Sequence, residues 1–172
     1  MLTIALTVAT LMSATQVSPV ALADTTLRDA ASRTSVAVMT PASPTAADYL
    51  ESARRALSNG QFDVARREFV IAAALERDAG RLPTEAVFGL VNALYVRSFN
   101  REAAVALDKF ADEASAAGDY NVEARALVDA IWLNLDARQK NQARNGAIRL
   151  KQLIQDRVLS DASLKLIRSR YR

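Results

Sequence analysis

Residues 53–72 read Ala53-Arg-Arg-Ala56-Leu-Ser-Asn59-Gly60-Gln-Phe62-Asp-Val-Ala65-Arg-Arg-Glu-Phe69-Val-Ile-Ala72, and their spacing decides the fold. Phe62, Ala65, Phe69 and Ala72 recur at three and four residues, the period of one helical face rather than the two-residue period of a strand. Ala53 and Ala56 keep that spacing ahead of Asn59-Gly60, a pair that ends a helix because glycine enters the left-handed conformation without steric cost. Two helices joined by so short a break must lie antiparallel. The alanines then sit where the pair touches, and the phenylalanines fill the space beside them.

The same pattern runs outward in both directions. Thr45 with Asp48 three residues later reads as a capping box that opens a first helix to about Ser58. The second helix runs to about Asp78, and Gly80-Arg-Leu-Pro83 breaks the chain before a third from about Thr84 to Arg97. Asn100 is placed to cap a fourth that ends before Gly118, Asp119 a fifth that ends near Ala137, Asn141 a sixth, and Ser160 or Asp161 a short seventh. On the fifth, Tyr120, Ala124, Leu127, Ile131 and Leu135 continue the three-four spacing. The chain has 172 residues, 51% hydrophobic and 6% aromatic, with 5 Gly and 4 Pro, enough apolar material for one core and too little β-branched and aromatic content to favour sheets. The expectation is an all-α run of helical hairpins.

Aligning the second helix of each hairpin on Ala65, Ala103 and Ala143 exposes an internal repeat. The first copy is Ala53-x-x-Ala56-x-x-x-Gly60-x-Phe62-x-x-Ala65-x-x-x-Phe69-x-x-Ala72; the second has Leu90-Val91-Asn92-Ala93-Leu94-Tyr95, then Arg101-Glu102-Ala103, Leu107 and Phe110. Small residues at the helix crossing, a Gly and an aromatic in the turn, and Ala, aromatic, Ala on the second helix make this sequence, over roughly 48–153, resemble the tetratricopeptide repeat. The copies are 38 and 40 residues apart (Ala65 to Ala103, Ala103 to Ala143), against roughly 34 in that family. The resemblance implies an α-α hairpin solenoid of about three tetratricopeptide-like repeats over residues 46–172. Its last helix acts as a C-terminal cap, with Leu164, Ile167 and Tyr171 inward and Lys165, Arg168, Arg170 and Arg172 toward water. Each hairpin has an apolar face that it buries against its neighbour.

The resemblance also implies a concave surface, lined by the first helices, that binds a protein or peptide. Family register places Leu50, Arg54 and Leu57 there from the first copy, Glu85, Phe88, Asn92 and Tyr95 from the second, and Arg125 and Trp132 from the third. Arginine pairs with carboxylates and aromatics supply rigid contact area, as peptide-binding grooves require. An aromatic at helical spacing can equally be core, and stability separates the two: a core Trp→Ala change costs about 3–5 kcal/mol, a groove position much less.

Chemistry is excluded more readily than assigned. Without Cys or His the chain has no thiolate nucleophile, disulfide, Cys/His zinc site or histidine base. Glu68, Asp112, Glu113 and Asp129 fall on helix surfaces without the spacing of a calcium loop, and there is no Gly-rich phosphate loop, nucleophile elbow or Ser-x-x-Lys pair. The expectation is a non-enzymatic protein with no cofactor and no metal.

Ahead of the domain, residues 2–12 form an uncharged apolar run, followed by a polar stretch from Ser13 to Pro19 and by Ala21-Leu22-Ala23. This reads as a signal peptide over 1–23 with cleavage after Ala23, although no Lys or Arg precedes the run. The run is about half of the roughly 20 residues a membrane-spanning helix needs, so no transmembrane segment is expected after cleavage. Residues 24–45, rich in Thr, Ser, Ala and Pro, read as a flexible tether. The expected location is exported, periplasmic or secreted.

Charge is uneven. From Arg138 onward ten Lys and Arg, among them Arg144, Arg149, Lys151, Arg157, Lys165, Arg168, Arg170 and Arg172, face only Asp156 and Asp161, while the whole chain is +3. Such an end suits an anionic envelope component or acidic protein, or the acidic half of a second copy; nucleic acid is not expected, since no aromatic platform for base stacking accompanies it. Two functions follow: an exported adaptor that binds a partner through its concave face, or an envelope-associated structural protein held by its basic C-terminal helices. Salt distinguishes them, because exposed charge contacts are screened and buried aromatic ones are not.

Overall fold

The computed structural model describes residues 43–170. The expected signal peptide, the tether up to its last three residues, and Tyr171 and Arg172 lie outside the described residues. The described residues form seven helices in chain order: α1 (Ala46–Ser58), α2 (Phe62–Asp78), α3 (Thr84–Val96), α4 (Asn100–Ala116), α5 (Tyr120–Asp136), α6 (Lys140–Asp156) and α7 (Asp161–Arg170). No strand is present among them, and none of these helices is long and apolar enough to cross a membrane.

Helix ends follow local chemistry. The Thr45 hydroxyl accepts the Asp48 amide proton at 3.3 Å while the Asp48 carboxylate accepts the Thr45 amide proton at 2.8 Å, the reciprocal capping expected at α1. The Thr45 amide, and with it the Thr45 hydroxyl, which also donates to that carboxylate at 2.8 Å, hold the Asp48 carboxyl below the ordinary Asp value of 3.8. Asp119 caps α5 through the Val122 amide, and the Ser160 hydroxyl accepts the Ser163 amide at the start of α7. Two caps differ from expectation. α4 begins at Asn100 itself and α6 at Lys140, with Phe99 and Gln139 in the cap positions and no side-chain bond from either.

The cause is the turn before each. Helices α1 to α5 all close with a left-handed residue, Gly60, Gly80, Ser98, Gly118 and Arg138. The amide of the following residue reaches back to close the turn, Gln61 to Ala56, Arg81 to Glu76, Phe99 to Leu94, Asp119 to Ala114 and Gln139 to Asn134. This is the Schellman arrangement. After Ser98 and Arg138 it fixes the next helix to start two residues on, whatever side chain stands there. From Ser98 onward the left-handed positions fall every twenty residues (98, 118, 138), which is why the hairpins repeat at about forty.

Every helix through α6 packs on its chain neighbour, and α1 also packs on α3 and α5 on α7. The odd-numbered helices therefore form one row and the even-numbered ones a second, an all-α, solenoid-like array of hairpins. Alanines line the crossings: Ala53, Ala65, Ala72, Ala86, Ala103, Ala111, Ala124 and Ala126 are wholly buried, around Phe69, Leu107, Phe110, Leu127 and Val128. At Gly89 on α3 an added Cβ would overlap the Phe69 ring. Only a residue without a side chain lets α3 lie that near α2.

Candidate binding groove

The odd row carries a groove of about 480 Å³ formed by α3, α5 and α7. Val91 and Leu133 are its buried floor. Phe88, Asn92 and Tyr95 enter it from α3, Arg125, Asp129, Trp132 and Asp136 from α5, and Arg170 from α7. The α3 residues recur at three and four, as do Arg125, Asp129, Trp132 and Asp136, so each helix presents a single stripe to the groove. Five residues assigned from sequence, Phe88, Asn92, Tyr95, Arg125 and Trp132, are thus brought together.

Within the groove, charge and aromatic surface alternate. The Arg125 guanidinium lies over the Phe88 ring, 3.9 Å from its centroid, and Phe88 meets Phe110 edge-on at 5.8 Å. That stacking fixes Arg125 while leaving its donors free for a ligand. Tyr95 and Trp132 are 53% and 43% exposed, so their rings are presented to solvent rather than packed as core. Burial pushes the Asp129 carboxyl above the ordinary Asp value of 3.8, against the pull of the Arg170 and Arg125 charges. Two arginines and two aspartates give the groove both signs of charge at short range.

Four residues assigned to this surface, Leu50, Arg54, Leu57 and Glu85, lie elsewhere. Arg54 forms an ion pair with Glu85 between α1 and α3, outside the groove lining, and Leu57 packs partly buried against the core. Leu50 is core. Among the described residues α1 packs within that row only on α3, and Leu50 and Leu57 of its stripe are taken up by packing. In the opposite direction α7 does more than cap: Ile167 is buried as expected, but Arg170 lines the groove instead of facing only water. Asp129, Asp136 and Arg170 were not assigned to the groove from sequence, Arg170 being placed on the basic surface and Asp129 on a solvated helix face; the four-residue step from Arg125 to Asp129 was the available signal.

The basic C-terminal residues separate by environment. Arg144, Lys151, Lys165 and Arg168 are exposed and form no ion pair among the described residues. Arg157 lies over the Tyr120 ring at 4.5 Å. Arg149, expected on the basic surface, is instead drawn across to α5 and α4: it donates to Glu123 at 2.7 and 2.9 Å, to Asp112 and to the Ala111 carbonyl. Glu123 is 3% exposed, and a carboxylate so desolvated requires a counter-charge. Among the described residues no cluster of three or more acidic side chains could hold a metal ion.

The fold and groove define a class, a helical-hairpin array with a concave, aromatic and charged surface. No family model matches the sequence, and comparison with curated proteins and with solved structures finds no significant match.

Proposed function

We propose that this chain is an exported, non-enzymatic adaptor, built from divergent tetratricopeptide-like repeats, that binds a protein or peptide partner in the α3/α5/α7 groove. The observation that carries the reading is the convergence of Trp132 and Tyr95, both about half exposed, on Arg125, Asn92 and Arg170 in one cavity. Exposed aromatic rings beside fixed guanidinium donors are the elements from which peptide interfaces draw most of their affinity. The mixed charge favours a partner segment bearing an acidic side chain for Arg125 and Arg170 next to an apolar one for Trp132. The apolar run at 2–12 and Ala21-Leu22-Ala23 support export.

The test is capture from an envelope extract by the wild-type chain and by an Arg125→Ala/Trp132→Ala variant of unchanged helical circular dichroism. A partner bound by the wild type at low and at physiological salt, and lost by the variant, is the expected result. A partner that survives in the variant and disappears as salt rises would instead favour attachment through the exposed Arg144, Lys151, Lys165 and Arg168.

A further inference from the structure

Helices α2 and α4 each lie between two odd-numbered neighbours, α2 between α1 and α3 and α4 between α3 and α5. Among the described residues α6 has α5 as its one packing partner, because α7 rests on α5 rather than on α6. Setting α6 on α4 by Ala143 and Ala103 shows what the missing neighbour leaves bare. Leu107, Ala111 and Ala114 of α4 are wholly buried, whereas the corresponding Ala147, Lys151 and Ile154 of α6 are exposed, Ile154 by 39%. Between this strip and α7 runs a trough of about 430 Å³, with Leu150 and Ile167 as its buried floor and Ala147, Lys151, Ile154 and Gln155 along its α6 wall.

Ala143, Ala147, Leu150 and Ile154 recur at three and four, so α6 offers an apolar strip in which alanine, the residue at the other helix crossings, again recurs. Lys140, Arg144 and Lys151 run beside it at steps of four and seven residues, exposed and without an ion pair among the described residues. No carboxylate lines the trough. The one acid of α6, Asp156, stands five residues past Lys151 and therefore on another side of the helix. From Ala147 to Ile154 the strip covers about two helical turns.

We infer that this trough is a docking slot for one amphipathic, acidic helix of a partner protein. The occupant lays its apolar stripe on Ala147, Leu150, Ile154 and Ile167, covering α6 as α5 covers α4, and carboxylates on its flank meet Lys140, Arg144 and Lys151. Charge and shape select it over three others. A second copy joined through the same trough about a two-fold axis sets Arg144 and Lys151 against like charges. A copy added head to tail would have to offer α1, none of whose exposed side chains is a large apolar one. A bilayer surface takes up protruding apolar side chains, and Leu150 and Ile167 are recessed, 4% and 9% exposed. The inference does not rest on the groove: α7 gives Arg170 to the groove and Ile167 to the trough.

Calorimetric titration of the full chain with three synthetic peptides of about 14 residues tests it: one with Leu at the apolar heptad positions and Glu beside them, a twin with Lys for Glu, and a twin with Ser for Leu. The Glu peptide is expected to bind saturably, and each twin at least about 10-fold more weakly. Ile154→Glu should weaken the Glu peptide roughly 100-fold, and Arg144→Glu/Lys151→Glu should exchange the preference, so that the Lys twin binds the tighter. Both variants alter exposed positions, and their folding is checked by circular dichroism. Ile148→Ser, outside the trough lining, and Trp132→Ala, in the groove, are expected to bind like wild type. No saturable binding of the Glu peptide, equal binding of the three peptides, binding that persists in folded Ile154→Glu, or a preference unmoved by the charge exchange would each overturn the assignment. Loss in Trp132→Ala would put the peptide in the groove and overturn it as well.

Discussion

Between α2 and α4, and again between α4 and α6, the scaffold leaves the same cleft over the helix beneath, α3 in the first case and α5 in the second. The first is about 550 Å³ and mainly apolar, lined by Val70, Ile71, Leu90, Leu94 and Phe99 with Arg66, Arg67 and Glu102 at its edge. The second is about 260 Å³, with the polar side chains Asp108, Asp112, Gln142, Asn145 and Arg149 set around Leu127 and Gly146. Arg149 crosses it to reach Glu123 and Asp112 and ties three helices together. The backbone repeat determines where a cleft falls; side chains determine whether it is spanned from within or left for something outside. Replacing the spanning residue is the most direct way to break this comparison. Arg149→Met strands the buried Glu123 carboxylate and is expected to cost about 3 kcal/mol, read as a lower urea midpoint. Adding Glu123→Leu should restore most of the loss, because two well-packed apolar residues replace a buried pair better than one orphaned charge is tolerated.

Each cleft also has a glycine at a helix crossing nearby, and the two differ in how tightly they are held. At Gly89 an added Cβ overlaps the Phe69 ring, while at Gly146 it meets Ile131 Cγ1 at 3.0 Å. Gly89→Ala is expected to destabilise by about 2 kcal/mol through forced repacking of Phe69, even after the helical preference of alanine is credited. Gly146→Ala should lie near zero, since Ile131 has only to yield a few tenths of an ångström. Equal effects at the two sites would show that the crossings are equivalent and that the α2/α3 approach has no special closeness.

How much of this was legible in the sequence depends on whether a local rule or a three-dimensional coincidence was at work. Helix number, the breaks at Gly60, Gly80 and Gly118, and the caps at Thr45, Asp119 and Ser160 follow from residue chemistry within a few positions, and they are found as read. The start of α4 was misplaced by one residue and that of α6 by two because Ser98 and Arg138 take the left-handed conformation without being glycine. Nothing in either side chain announces that; the forty-residue repeat imposes it. Groove residues on α3 and α5 were legible because one stripe of a helix must face one way. Arg170 was not, because it comes from a separate short helix, and Arg149 was assigned to a solvated face because its partners Glu123 and Asp112 lie 26 and 37 residues away. The strain at Arg138 gives a test of its own: Arg138→Gly is expected to stabilise the chain by about 1 kcal/mol in thermal unfolding, by removing the steric cost of a left-handed non-glycine residue.

The smallest expected effect is a slope of stability against pH, and it sharpens the same contrast between a spanned cleft and an open surface. Burial raises the Asp108 carboxyl in the polar cleft above its ordinary value of 3.8; the Asn134 amide pulls it down, Asp112 pushes it further up and Arg149 pulls it down. Burial likewise raises Asp129 in the groove, against Arg170 and Arg125. A carboxyl whose pKa is higher in the folded chain takes up its proton first in the native state as pH falls. Its contribution to stability is therefore present below the unfolded value and lost as pH rises through the folded one. Asp48, lowered by its Thr45 bonds, acts in the opposite sense and below 3.8, so the two effects occupy separate windows. Urea midpoints should then decline from the upper edge of the ordinary Asp range toward neutrality, and Asp108→Asn/Asp129→Asn should flatten that decline. In Arg149→Met the decline should steepen, because the charge that opposes the rise at Asp108 is gone while Asp112 remains. A slope unchanged by removing Arg149 would mean that its guanidinium holds Glu123 but has no electrostatic hold on the rest of the cleft it crosses.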